Sequence, residues 1–226
     1  MPDKNNLIQP KKLKKGDAVG IVAPAGVVNA VELEKGIEVF KRKGLRPVLG
    51  KHVFARDKYM AGTDAQRAED LMLMFENPEI KAIVCVRGGY GVNRILHFLS
   101  AKTIRQNPKI VVGASDITIL LIYLMQKCSL VPFHGPMVAG NFGRYPMKKT
   151  KKQFFDLLFG RTEGKKMTSA QARILNPGLA KGPVTGGCLT LLCRSLGTPF
   201  EIQTEGKILI LEDVSEPPYR IDAMLW

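Results

Sequence analysis

The chain has 226 residues, 45% of them apolar, and a formal net charge of +14. That length allows one large domain or two small ones around a real core, and no apolar run of about 18 residues is present to make a transmembrane helix. The N-terminal stretch MPDKNNLIQPKKLKKGD lacks the apolar segment of a secretory signal, and the four cysteines fit neither a disulfide framework nor a zinc pattern, so a protein of the reducing cytoplasm without a zinc site is expected. The basic residues are scattered in short runs, among them KKLKK (11–15), KRK (41–43) and MKKTKKQ (147–153). No interleaved aromatics and no nucleic-acid-binding motif accompany them. Solvated surface is therefore preferred over a nucleic-acid partner, and a basic surface also suits an anionic small substrate.

In chain order, residues 18–26 read as an apolar strand ending in a Pro/Gly turn. Residues 27–45 follow with helical spacing, Val31, Leu33, Ile37, Val39 and Phe40 forming the stripe and Gly44 the C-cap. RPVLG (46–50) is a second strand. A loop then leads to a helix that Thr63 or Asp64 caps and Pro78 stops. IKAIVCVRGG (80–89) is a third strand followed by a helix over 91–101, NPKIVVGAS (107–115) a fourth followed by a helix over 116–128, and LVPFHGP (130–136) a fifth. This alternation predicts an open, mostly parallel α/β sheet of Rossmann-like type over residues 1–145. Its strands are continuous apolar runs, as expected for strands buried on both faces. Ligands bind beyond the carboxyl ends of such strands. The turns APAG (23–26), RGGYG (87–91), GASD (113–116) and FHGPM (133–137) are expected to converge there. Residues 146–167 read as a basic linker with one helix. Residues 168–226 read as a partial, β-rich second domain, whose fewer than ~60 residues are marginal for an independent core.

Ser115 sits where a strand turns into a helix, the place where a nucleophilic hydroxyl is exposed and where the Asp116 N–H can face a developing oxyanion. Either residue could instead simply cap the helix. Gly88 and Gly89 can let their N–H groups approach a substrate closely, although a phosphate cradle or a plain turn would use glycines too. Arg87 offers a planar fork for a substrate carboxylate, or is a surface arginine. In KILILEDVSEPPYR (207–220), Glu212 and Asp213 lie just beyond an apolar strand, where a carboxylate can orient a histidine, with Glu216 close by. Of the three histidines, His134 lies nearest the Ser115 strand, and its HGP context suits a turn brace.

Seven motifs occur in order: GDAVGIVAPAG, YMAGTDAQRAEDL, AIVCVRGGYGVNRIL, VVGASDITILL, FHGPM, GGCLTLLCRSLGTPF and ILILEDVSEPPYRIDAML. Together, over about residue 12 to 226, they resemble the LD-carboxypeptidases, the serine peptidase group that includes the microcin C immunity peptidases. The resemblance implies a Ser-His-Glu triad with Ser115 as nucleophile and Glu212 as carboxylate. Oxyanion donors would come from Asp116 and from Gly88 or Gly89. It implies cleavage of the terminal D-Ala from murein tetrapeptides in cytoplasmic cell-wall recycling, without a metal, by a homodimer. It also implies a triad histidine downstream of YRIDAML, so the chain is expected to be C-terminally truncated and inactive or nearly so. Peptidyl or aminoacyl nucleotides are the alternative substrates, and a non-catalytic protein binding an anionic ligand is the alternative class.

Overall fold

The computed structural model describes residues 7–162 and 171–226, so the end of the linker and the start of the second domain, 163–170, lie outside the described residues. Strands β1 (Ala18–Val22), β2 (Arg46–Leu49), β3 (Ile80–Cys85), β4 (Ile110–Gly113) and β5 (Phe133–His134) form an all-parallel sheet in the order β2-β1-β3-β4-β5. Strands β1 and β4 are buried throughout, as their unbroken apolar sequences require. Helices α2 (Asp64–Glu76), α3 (Ala101–Gln106) and α4 (Thr118–Cys128) cover one face through Leu71, Phe75, Ile104, Leu120 and Leu124. Helices α1 (Ala30–Lys41) and α5 (Lys148–Leu158) cover the other through Leu33, Phe40, Phe154 and Phe155, together with a π-helical turn at Val138–Gly143. This strand order reverses direction between β1 and β3, which opens a crevice at their carboxyl ends. Among the described residues no helix is long and apolar enough to cross a membrane.

Three local expectations are corrected. Val31 was expected in the buried stripe of α1 but is 61% exposed. The buried line is Leu33, Gly36 and Phe40, because Gly36 lies directly against the Val138 carbonyl, where no side chain fits. The expected helix over 91–101 is two 3-10 turns, Val92–Arg94 and Leu96–Phe98, ahead of α3. Gly91 enters the first turn with φ of 117°, and the Val92 N–H donates outward to Asp116 (3.0 Å), which fixes the chain in a tight turn. Strand β5 is only two residues long, because Pro132 and Pro136 flank it and have no N–H for the ladder.

In the second part, β6 (Val184–Cys188) and β7 (Ile208–Glu212) form a small parallel sheet, accompanied by α6 (Leu189–Ser195) and α7 (Pro218–Leu225). The sequence reads as β through LTLLC, but Leu189, Thr190, Leu192 and Ser195 are the buried positions, which is helical spacing. The small sheet meets the larger parallel-sheet part where the Cys188 N–H donates to Thr118 Oγ1 at 3.2 Å.

Thr63, not Asp64, caps α2: its hydroxyl accepts from the Gln66 N–H (3.3 Å) and the Gln66 side chain accepts from the Thr63 N–H (3.0 Å). Thr63→Ala is expected to lower the unfolding free energy by about 1 kcal/mol in urea titrations followed by circular dichroism.

Candidate active site

Ser115 opens a 3-10 turn, Ser115–Ile117, that joins β4 to α4. Its φ is +59°, a left-handed conformation that costs a non-glycine residue about 1–2 kcal/mol. Neither this turn nor α4 takes a side-chain capping bond, so the strain is not repaid by a cap. What the conformation does is press the hydroxyl against the end of β3. A Cβ placed on Gly88 would lie 2.9 Å from both Ser115 Oγ and Ser115 Cβ, so only glycine fits beside the serine. Among the described residues, Ser115 Oγ makes no hydrogen bond.

The neighbouring Asp116 is 2% exposed and spends its carboxylate on the Val92 N–H. Burial pushes its carboxyl up, while that N–H and the charges of Arg67 and Arg194 pull it back. Asp116 thus ties the serine turn to the RGGYG loop and leaves its own N–H at the start of α4. Gly89 takes φ of 141°, and a Cβ on it would meet the Gly26 nitrogen at 2.8 Å. The APAG and RGGYG turns are therefore in backbone contact, with the Gly26 N–H donating to the Gly88 carbonyl at 3.4 Å. Arg87 is partly buried and donates to the carbonyls of Gly88 (3.2 Å) and Val27 (3.3 Å), so its fork is anchored to backbone on one side.

Three carboxylates cluster at the carboxyl end of β7, Glu212 as its last residue and Asp213 and Glu216 beyond it, and hydrogen bonding separates them. Burial opposes ionisation of Asp213. The Thr190 N–H and hydroxyl (both 2.8 Å) and the Val214 N–H (2.8 Å) outweigh it and hold the carboxyl below its usual value. Asp213 thus satisfies the first turn of α6 from outside the helix, whose N-cap is Cys188. Glu216 pairs with Arg220 at 3.0 Å. Glu212 alone turns toward the sheet, with Oε1 3.5 Å from His134 Nε2 at the end of β5. That pair lacks hydrogen-bond geometry, and Oε1 is a buried oxygen without a hydrogen-bond partner. Because His134 pairs with Gly113 across β4 and β5, the fold brings Glu212, His134 and the Ser115 turn to one rim. Beside it, Tyr90, Asn93, Ile119, Arg194 and Phe200 line a cavity of about 250 Å³.

The organiser of the rim, Arg67 on α2, escaped the sequence reading. It is 1% exposed, and its guanidinium donates to the carbonyls of Pro24 (2.6 Å), Gly91 (2.9 Å) and Gly62 (3.3 Å) and pairs with Asp64. One side chain therefore holds the APAG turn, the RGGYG loop and the start of α2.

Residues 19–135 match the LD-carboxypeptidase N-terminal domain, and residues 181–226 match the LD-carboxypeptidase C-terminal domain. The chain belongs to the LD-carboxypeptidase family. It is 41% identical over 218 residues to a probable murein peptide carboxypeptidase of Bacillus subtilis, covering 96% of this chain and 68% of that protein. Its fold superposes on an MccF-like protein of Bacillus anthracis with a TM-score of 0.87 at 26% identity, covering 96% of this chain and 74% of that one. A muramoyltetrapeptide carboxypeptidase of Oxalobacter formigenes gives 0.79 at 32% identity, covering 92% and 69%. The parallel α/β sheet expected from the sequence is the fold observed, and the expected partial β-rich part holds one small two-stranded sheet with two helices.

Gly88→Ala is expected to displace Ser115 without unfolding the protein. The thermal midpoint should fall by a few degrees, and chemical-shift changes on a labelled sample should concentrate at residues 113–118; shifts spread evenly over the sheet would contradict the contact.

Proposed function

We propose that the chain is the nucleophile-bearing part of a serine-type LD-carboxypeptidase that hydrolyses the bond between a diamino acid and the terminal D-Ala of murein tetrapeptides. The observation that carries the reading is the strained, uncapped Ser115 held against Gly88 at the crevice. Residues 1–145 form the nucleophile domain, 146–167 the linker and helix, and 168–226 the part that brings Glu212. Ser115 Oγ attacks the scissile carbonyl and its proton passes to a base. The developing oxyanion is met by the Asp116 N–H and by an N–H from Gly88 or Gly89. The base then protonates the leaving D-Ala amine, and water releases the acyl group from Ser115. Arg87 receives the substrate's terminal carboxylate. The resemblance adds a homodimer and a cytoplasmic location; sedimentation velocity tests the first.

None of His52, His97 and His134 is assigned as the base, so the 226-residue polypeptide is expected to release D-Ala at or near background. The decisive assay appends the part of the Bacillus subtilis relative that lies beyond the matched region. That chimera is expected to release D-Ala from tetrapeptide and not from an all-L analogue. Turnover by the 226-residue polypeptide itself, lost in Ser115→Ala, would overturn the inactivity proposal. His134→Gln in the chimera should leave turnover within about tenfold, since Glu212 reaches its ring but no hydrogen bond forms; a loss as large as that of Ser115→Ala would move the base role to His134. The likeness to the MccF-like protein supports a second reading, hydrolysis of a peptidyl or aminoacyl nucleotide, which the same chimera tests with both substrates side by side.

A further inference from the structure

A second cavity, about 450 Å³, opens at the opposite end of the sheet from the Ser115 crevice, where the chain enters β1 and β2. It is lined by Lys15, Lys41, Arg42, Lys43, Gly44, Phe159 and Arg161, five cations among seven residues. The carboxylates within reach are few. Glu38 pairs with Lys41 at 2.7 Å, and Asp156 lies 3.6 Å from Arg161 while also holding Lys152 at 2.6 Å. Among the described residues, no carboxylate lies within ion-pair distance of Lys15, Arg42 or Lys43. The C-termini of α1 and α5 both end here and favour cations, but two helix ends supply only about one negative charge in total. Three uncompensated cations exceed that.

The backbone brings the cations together, and two of them rest on aromatic rings. Gly44 (φ 78°) turns the chain so that its carbonyl accepts from the Gly16 N–H at 2.7 Å, which sets Lys15 beside the 41–43 run. Lys43 Nζ stands 5.5 Å over the Phe155 ring, and the Arg161 guanidinium 5.0 Å over the Phe159 ring. Two basic runs, separate in the sequence, are thus folded into one concave site with an aromatic wall. Scattered solvated lysines would not converge in this way, since like charges brought together repel.

We propose that this cavity binds a multivalent phosphate group, either a free di- or triphosphate or the headgroups of an anionic lipid surface. Several cations converging on one concavity suit a compact ligand with two or more charges, and the arginines present forks that match phosphate oxygens. The site is independent of the Ser115 crevice and of the carboxypeptidase reading.

The test uses the 226-residue chain and two charge-matched variants, Arg42→Glu/Lys43→Glu in the cavity and Lys148→Glu/Lys149→Glu at the far end of α5. Each is titrated calorimetrically with tripolyphosphate at low salt and sedimented with phosphatidylglycerol vesicles, after melting curves establish that all three fold alike. Tripolyphosphate binding that weakens at least about tenfold in the cavity variant and stays near wild type in the far-end variant supports a free phosphate ligand. The same pattern with vesicles alone supports a lipid headgroup. Equal weakening in both variants means that overall charge, not the cavity, draws the anion, and overturns the proposal. So does absence of binding to either probe.

Discussion

Replacing Ser115 with glycine is expected to make the 226-residue protein more stable while removing the turnover proposed for the chimera. The backbone at Ser115 has φ of +59°, where a side chain is penalised and glycine is not. Relief of that strain should gain about 1 kcal/mol, or about 2–4 °C in the melting midpoint for a chain of this size. Ser115→Ala keeps a Cβ, so it should be nearly neutral in stability. Both variants should lower D-Ala release by the chimera on the order of 10⁴-fold or more, since Oγ is the attacking atom in the proposed function. A helix-capping serine behaves in the opposite way: alanine costs about 1 kcal/mol, glycine a few tenths, and chemistry is untouched. Stability lost in both variants, or turnover kept in either, would sink the nucleophile assignment. The structure already separates the two behaviours in one respect, because neither the 3-10 turn nor α4 receives a side-chain cap.

The parallel sheet was legible because strands buried on both faces must be apolar without interruption, and AIVCV and IVVG are. The Ser115 turn was legible because GASD marks a tight strand-to-helix junction, but its left-handed backbone was not, since serine carries no sequence sign of it. The 3-10 turns after Gly91 were hidden for a different reason: the bond that draws the Val92 N–H away comes from Asp116, 24 residues downstream. Glu212, Asp213 and Glu216 could not be ranked from spacing. Only donors from Thr190, Val214 and Arg220 show that two of them serve local structure and that Glu212 faces the rim. The cationic cavity escaped because KKLKK and KRK read as separate solvated runs until the Gly16–Gly44 contact joins them. Arg67 did leave a signal. Positions 67, 71, 74 and 75 share one face of α2, and the other three are apolar and buried. An arginine on that face has to be satisfied internally.

That requirement sets the largest expected stability effect. Arg67→Met should cost about 3–5 kcal/mol in the unfolding free energy, because it strands the buried carbonyls of Pro24, Gly62 and Gly91 and leaves Asp64 without its inner partner. Burial pulls the guanidinium's own pKa down, and the Asp64 charge opposes that pull, so the pair stays ionised as a unit. Asp64 keeps Arg94, at 2.8 Å on the exposed side, which limits the loss on the carboxylate but does nothing for the carbonyls. Arg67→Lys retains the charge yet presents one donor centre where three carbonyls from three segments need a planar fork, so it should recover less than half of the loss. Urea unfolding of both variants measures this directly. A cost below about 1 kcal/mol for Arg67→Met would mean that water replaces the guanidinium and that the loops hold themselves. The same clamp predicts how the damage reaches the site. Pro24 and Gly91 anchor the two turns that meet at Gly26 and Gly88, so an Arg67→Lys chimera that still folds should lose kcat more than it raises KM. The cause is that Gly88, which sets the position of Ser115, is no longer fixed.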